Sequence, residues 1–398
     1  MHALLTTPQD DLRAPSAASA ATRLYFLDWL RIAAFFLLIA FHVGMYYVSW
    51  DWHVKSPHAS GAPEPFMLLL SPWRLSLLFL VSGVASALLL AKMPLRRFAG
   101  QRSRRLLLPL AFGMLVIVPP QAYLEVVEKF GYAGGYGDFM RLYLSAYAGF
   151  CRDGRCLVLP TWNHLWFVAY LWVYTMLLCG ACRLFARHGQ AVSAWVRRHL
   201  EGWRMLVLPA ACLGAMRVML LDAFPETHAL FDDWYNHTHY LALFLLGALL
   251  ARHAGFWDAL AVQRRHALLI ALVGWACLVA YFGHYGEARM PPDWLRALQR
   301  MVHAAVEWNA IIAACGFARR YLNHDNAARR YLTQAVFPVY ILHQTLIVIF
   351  AHALKPAELE AWPEASLLFA ATLACSFAVF EAVRRVPLLR PWFGLGRG

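Results

Sequence analysis

Charge is scarce in this sequence. Acidic and basic residues make up only 15% of its 398 residues, where a soluble domain carries about 25%. An ordinary water-soluble domain is therefore excluded. The first 22 residues lack an apolar core ahead of a small-residue cleavage site, so we expect no cleaved signal peptide and a first span that is retained. No Gly-rich phosphate loop, Ser-His-Asp order or zinc spacing stands out, so nucleotide, serine-hydrolase and metalloenzyme signatures are missing. Internal repeats with paired broken spans, the mark of many transporters, are missing too. Cysteine is sparse outside the apolar stretches. Six of the eight (Cys179, Cys182, Cys212, Cys277, Cys315, Cys375) lie in or at the ends of such stretches and read as small apolar fillers. Cys179-Gly-Ala-Cys182 has redox-motif spacing, but at the end of a membrane helix.

Apolar residues supply 61% of the chain. They come in blocks near the ~20 residues that cross a bilayer. We expect an all-α, polytopic bundle of ten spans: 24–49, 66–91, 106–121, 162–182, 205–221, 238–251, 267–283, 299–318, 332–351 and 365–383. A polar tail, 1–22, precedes one membrane domain, 23–393, and a short tail, 394–398, follows it. Lys and Arg set the orientation. With the N-terminus inside, the inner segments hold 24 of them and the outer ones nine, counting Arg300 at the edge of the eighth span. Acids run the other way, with five inside and fifteen outside. Both termini are expected to be cytoplasmic. The net charge of +13 is then the positive-inside signal, attracted to anionic lipid, and implies no nucleic-acid partner.

The first span is the centre of interest. Asp28, Arg31 and His42 lie inside it, and ionisable groups in a bilayer mark function by default. Arg31 and His42 are 11 residues apart, about three turns, so they share a face some 16 Å apart along the axis. Arg31 falls in the inner half and His42 in the outer half. Four outer signals converge: His42 with Trp50, Trp52, His53, Lys55 and Ser56; Trp162-Asn163-His164-Leu165-Trp166; Tyr340 with His343; and Arg74. Histidine is the usual general base, and aromatics at a wet mouth suit saccharides. At the inner face Arg96, Arg97, Arg102, Arg104 and Arg105 form a basic run, with Arg102 and Arg105 on one helical face and suited to phosphate. The outer segment 122–160 reads as a surface lid, a re-entrant element or an interfacial loop. Within it Cys151 and Cys156 bracket a short turn, which a disulfide would staple in an oxidising periplasm. His303 and Glu307 are spaced as a helical pair, and His237-Thr238-His239 reads as an interfacial loop rather than a metal site.

Five motifs in order carry a resemblance. They are Arg31-x10-His42, Leu78-Phe79-Leu80-Val81-Ser82-Gly83, Arg102-x-x-Arg105, His164-Leu165-Trp166-Phe167 and Phe337-Pro338-Val339-Tyr340-Ile341-Leu342-His343. From Arg23 to about Phe393 the chain resembles the acyltransferase family 3 membrane proteins. Leu78-Phe79 replaces the commoner Phe-Phe. Tyr25-Phe26-Leu27-Asp28, Trp52-His53-Val54-Lys55-Ser56, Leu245-Leu246-Gly247-Ala248-Leu249 and Val386-Pro387-Leu388-Leu389 are similar to the branch that succinylates osmoregulated periplasmic glucans.

The resemblance implies an inner-membrane enzyme with its site opening to the periplasm. It would move an acyl group from a cytoplasmic coenzyme A thioester, succinyl-CoA in this branch, to a glucan hydroxyl outside. The acyl-CoA is a co-substrate; no bound cofactor and no metal are expected. His42 would be the general base, with Arg31, Asp28 and His343 beside it in the catalytic set. Arg31, Arg102, Arg105 and Ser82 would bind the donor, Ser82 as a possible acyl carrier. Trp52, His53, Lys55, Arg74, His164, Trp166 and Tyr340 would bind the acceptor. A succinyl carboxylate needs a cation, for which Arg31, Arg74 and Arg217 are candidates. Two alternatives remain: an O-acetyltransferase of another envelope polysaccharide, and a saccharide transporter or flippase.

Overall fold

The structure, a computed structural model, describes residues 24–152, 154–185, 187–286 and 289–396. The tail expected at 1–22 lies outside the described residues, as do the last two residues.

The first half of the chain alternates long helices with bends. Helix α1 (Tyr25–Tyr47) is followed by a loop and by α2 (Glu64–Leu70), which continues after a break at Pro72 into α3 (Arg74–Leu90). Helix α4 (Leu95–Phe112) runs through a π turn (Gly113–Ile117) into α5 (Pro119–Phe130), bent by 42°. Pro119 and Pro120 supply no N–H groups, and the chain turns where the ladder loses them. A short α6 (Tyr136–Leu144) and a two-residue hairpin, Cys151–Arg152 with Arg155–Cys156, complete the segment before α7 (Trp166–Leu184). Helix α8 (Gly189–His199) lies at 109° to α9 (Arg204–Leu220). Then come α10 (Trp234–Leu250), α11 (Ala254–His284), α12 (Asp293–Tyr321), α13 (Ala327–Leu354) and α14 (Ala361–Arg385).

Among the described residues, seven helices are long and apolar enough to cross a membrane, or nine if each bent pair is one span. Helix α10, on the sixth expected span, has 17 residues, about 25 Å at 1.5 Å each. The third expected span begins earlier than hydropathy suggests: the basic run Arg96–Arg105 is helical and belongs to α4. The segment 122–160 is not a plain loop. It is the end of α5, then α6 and the disulfide-closed hairpin, packed on its own core of Phe139, Tyr143 and Phe150. The cysteines are not all fillers: Cys182, Cys212 and Cys277 face outward, while Cys179 and Cys315 are buried.

Helix α1 lies against α13 and α3 lies against α10. The second contact is made of backbone. A Cβ on Gly83 would sit 1.9 Å from the Phe244 carbonyl oxygen, and one on Gly247 would sit 2.1 Å from that of Leu80. The Ser82-Gly83 motif is thus a helix-crossing device of the small-residue kind. Gly83→Ala must push α10 away and is expected to destabilise the chain by about 1–3 kcal/mol, read as a lower thermal midpoint in detergent.

Candidate active site

A cavity of about 650 Å³ opens among α1, α3, α7, α9, α10, α12 and α13, with His42, Arg74, His164, Tyr340 and His239 in its wall. That volume is typical of a small-molecule site. Its rim comes from the connections after α1, before α3, before α7 and before α10, so it lies at one end of the bundle.

Hydrogen bonding fixes the protonation pattern at its centre. His343 is fully buried, and its Nδ1 lies 2.6 Å from the Tyr340 carbonyl oxygen. A carbonyl only accepts, so Nδ1 carries the proton and Nε2 of the neutral ring holds a lone pair. His42 Nδ1 is 2.9 Å from that Nε2 and therefore donates to it. The remaining nitrogen of His42, Nε2, is left as an acceptor on a ring that lines the cavity. This is the arrangement of a general base held in one tautomer by a partner behind it. Trp52 lies parallel to the His42 ring, 6.5 Å away.

His164 is held the same way. Its Nε2 donates to the Ile341 carbonyl at 3.1 Å, and Tyr340 donates its hydroxyl to the His164 carbonyl. Its Nδ1 has no partner among the described residues. Arg74 is 7% exposed, with its guanidinium 3.3 Å over the Phe41 ring. Its Nε and Nη1 make no hydrogen bond, and no carboxylate pairs with it among the described residues. A buried, unpaired cation is costly, and this one faces a cavity beside the residue that precedes His42.

Other expected residues have different jobs. His53 lines the cavity with both nitrogens engaged: Nδ1 donates to Glu125 at 2.5 Å, and Nε2 accepts from Gln344 at 2.9 Å. Gln344 also donates to Gln121, which donates to Thr345. Lys129 reaches Glu125 at 3.0 Å and Asp51 at 2.9 Å. Glu125→Ala would leave His53 and Lys129 without their shared anion and is expected to cost about 3–5 kcal/mol, measured by thermal unfolding. Lys55 does not line the cavity. Its ammonium donates to the carbonyls of Met45, Val48 and Trp50 and closes the end of α1; burial lowers it to about 8. Ser82 is likewise outside the cavity wall.

Arg31, Arg102 and Arg105 do not line this cavity but lie within one another's electrostatic reach. Arg102 donates to Ser86 at 3.4 Å and Arg105 to the Gly394 carbonyl at 2.9 Å. Nε of Arg31 and of Arg102 has no partner among the described residues. A second concavity of about 570 Å³ is lined by Arg96, Arg97, Arg104 and Arg105. Asp28 lies 3.4 Å from Arg31, but its other oxygen binds the buried Arg329. Asp28 therefore fastens α1 to α13 as much as it steadies Arg31.

Two expectations about histidines need correcting. Glu307 does not pair with His303; it accepts from His239 at 2.6 Å. His239 is not in a loop but on α10. His237 donates to the Leu230 carbonyl and lies 3.1 Å from the Tyr174 hydroxyl, so it also serves the packing. Among the described residues no group of three His, Cys, Asp or Glu is placed to hold a metal ion. Glu125, Gln121, Gln344 and Arg329 were not anticipated. Gln121 and Gln344 stand out in the sequence as polar residues within apolar stretches, whereas Glu125 and Arg329 lie in the connections and carry no such signal.

Residues 24–381 match the family model of an acyltransferase domain. Similar curated proteins include glucans biosynthesis protein C of Escherichia coli K12, 25% identical over 381 residues, which cover 93% of this chain and 94% of that protein. The protein of the same name from Salmonella paratyphi B is 24% identical over 391 residues, with the same coverage. No solved structure matches.

Proposed function

Because the chain belongs to the acyltransferase family whose domain its residues 24–381 match, we propose that it moves a succinyl group from a cytoplasmic thioester to a hydroxyl of a periplasmic glucan. The observation that carries this reading is the relay from the Tyr340 carbonyl through His343 to His42, which leaves His42 Nε2 free to take a proton at the cavity wall.

In this reading α10 is a tenth crossing, both termini are cytoplasmic and the large cavity opens to the periplasm of an inner-membrane protein. Arg31, Arg102 and Arg105 bind the anionic coenzyme A thioester at the opposite end. The acyl arm follows the α1 stripe towards His42. An acceptor hydroxyl, stacked near Trp52 and Trp166, donates its hydrogen bond to His42 Nε2. As it attacks the thioester carbonyl, its proton passes to His42, a carbon–oxygen ester bond forms and the carbon–sulfur bond breaks. The thiolate leaves and takes up the proton from His42. Transfer is direct, which fits the position of Ser82 outside the cavity wall. Arg74 holds the free carboxylate of the succinyl group, which supports a dicarboxylic donor over an acetyl one. The names of the similar proteins support a glucan acceptor.

The test uses the purified chain in vesicles, with succinyl-CoA on one face and a gluco-oligosaccharide on the other. Release of free thiol, matched by succinylated saccharide, is expected only when the donor is on the arginine-rich face. Saccharide crossing the vesicle with no thiol released would support a transporter instead.

A further inference from the structure

The same cavity carries a second polar cluster, on α9, α10 and α12, with hydrogen-bond partners separate from those of His42. His239 on α10 is 4% exposed, and its Nε2 lies 2.6 Å from the Glu307 carboxylate on α12. The carboxylate accepts, so in the neutral ring Nδ1 bears the lone pair, and it has no partner among the described residues. Asn236, one turn earlier on α10, is 1% exposed; it donates to Asp233 at 3.0 Å, and its Oδ1 is bare. Arg217 on α9 donates to the Tyr235 hydroxyl at 2.7 Å and keeps a bare Nε. All three side chains line the cavity. Two unfilled acceptors and one unfilled donor, all buried, call for a ligand that both donates and accepts.

That requirement is selective. An ionised carboxylate or fully ionised phosphate has no proton to donate to His239 or Asn236 and would meet the charge of Glu307. An apolar group would leave all three bare. Neighbouring hydroxyls of a sugar ring satisfy both signs. A surface joins this cluster to the reacting end: Trp166 lies two residues after His164, and its ring is 5.8 Å from that of Tyr240, which follows His239. At the reacting end, His42 Nε2 and His164 Nδ1 are acceptors of the same kind.

We propose that His239, fixed by Glu307 and assisted by Asn236 and Arg217, forms a second saccharide subsite for the sugar unit next to the one being acylated. The proposal rests on the saccharide acceptor of the preceding section. It makes this cluster a determinant of acceptor length, distinct from the group that takes the proton.

The test is calorimetric titration of the detergent-purified full chain with glucose and with a β-linked gluco-disaccharide, without any acyl donor. The wild-type chain is expected to bind the disaccharide about tenfold more tightly than glucose, the worth of one well-placed buried hydrogen bond or two. His239→Ala should erase that preference, and Glu307→Gln, which keeps the volume, should reduce it. Arg217→Gln, nearer the rim, carries the test if the buried pair proves necessary for folding. No preference for the disaccharide, or a preference that survives these substitutions in folded protein, overturns the subsite. A preference that responds as described, with no acyl transfer in the vesicle assay, sustains the subsite and removes the acyltransfer reading.

Discussion

His42→Ala is expected to lower acyl transfer by about 10²–10⁴-fold, the usual worth of a positioned acid–base group, while the protein still inserts and folds. The side chain is half-buried at the wall of the cavity, and the hydrogen bond it would lose is one made to His343. Removing it leaves His343 Nε2 as a free acceptor that a water in the cavity can reach. Stability should therefore change little, and the loss should appear in kcat. His343→Phe should act less severely, because it removes the group that fixes the tautomer rather than the base itself. It positions and does not react. Equal and complete loss in both variants would point to collapse of the α1–α13 contact. Full activity in an inserted His42→Ala variant would sink the mechanism.

Arg74→Met should show the opposite signs in stability and activity. The guanidinium is 7% exposed, stacked over Phe41 and without a carboxylate among the described residues. Replacing a buried charge by an apolar side chain of similar volume is often neutral or stabilising by about 1–4 kcal/mol. Methionine can keep the contact with Phe41. We therefore expect an unchanged or higher thermal midpoint. Succinyl transfer should fall about 100-fold, since charge-assisted hydrogen bonds are worth about 1.5–3 kcal/mol each. Transfer from an acetyl thioester should fall much less, because that donor has no carboxylate to lose. Equal losses with both donors would assign Arg74 to the oxyanion or the acceptor. A sharply lower midpoint would mean that it holds the bundle together.

Much of the site could be read from residues close together in the chain. Arg31 and His42 share a stripe because both lie on one helix, and helical period is visible in sequence. The aromatic signals at Trp52, Trp166 and Tyr340 also reach the cavity: Trp52 follows α1, Trp166 begins α7 and Tyr340 lies midway along α13. What stayed hidden were the partners that come from other helices. His42 meets His343 301 residues away, and His239 meets Glu307 68 residues away. Hydropathy reports which residues avoid water, not which helix faces which. The spacing of His303 and Glu307 suggested a pair on one helix, and the cross-helix contact won. Lys55 looked like a ligand group because it sits in a polar loop, yet that loop folds back and its ammonium finds the Met45 carbonyl in the last turn of α1 and those of Val48 and Trp50 just beyond it. The bends were harder still. Pro119 and Pro120 turn α5 away from α4, and α10 is only 17 residues long, so counting apolar blocks marks where long helices lie but neither their bends nor the number that cross.

The most direct measurement is mass spectrometry of periplasmic glucans from cells lacking this chain, complemented with the wild-type chain or with His42→Ala. The account predicts glucans heavier by whole succinyl groups with the wild-type chain alone, and unmodified glucans in the other two cases. Glucans of the same mass in all three would contradict it and would move the search for lost acyl groups to another envelope polysaccharide.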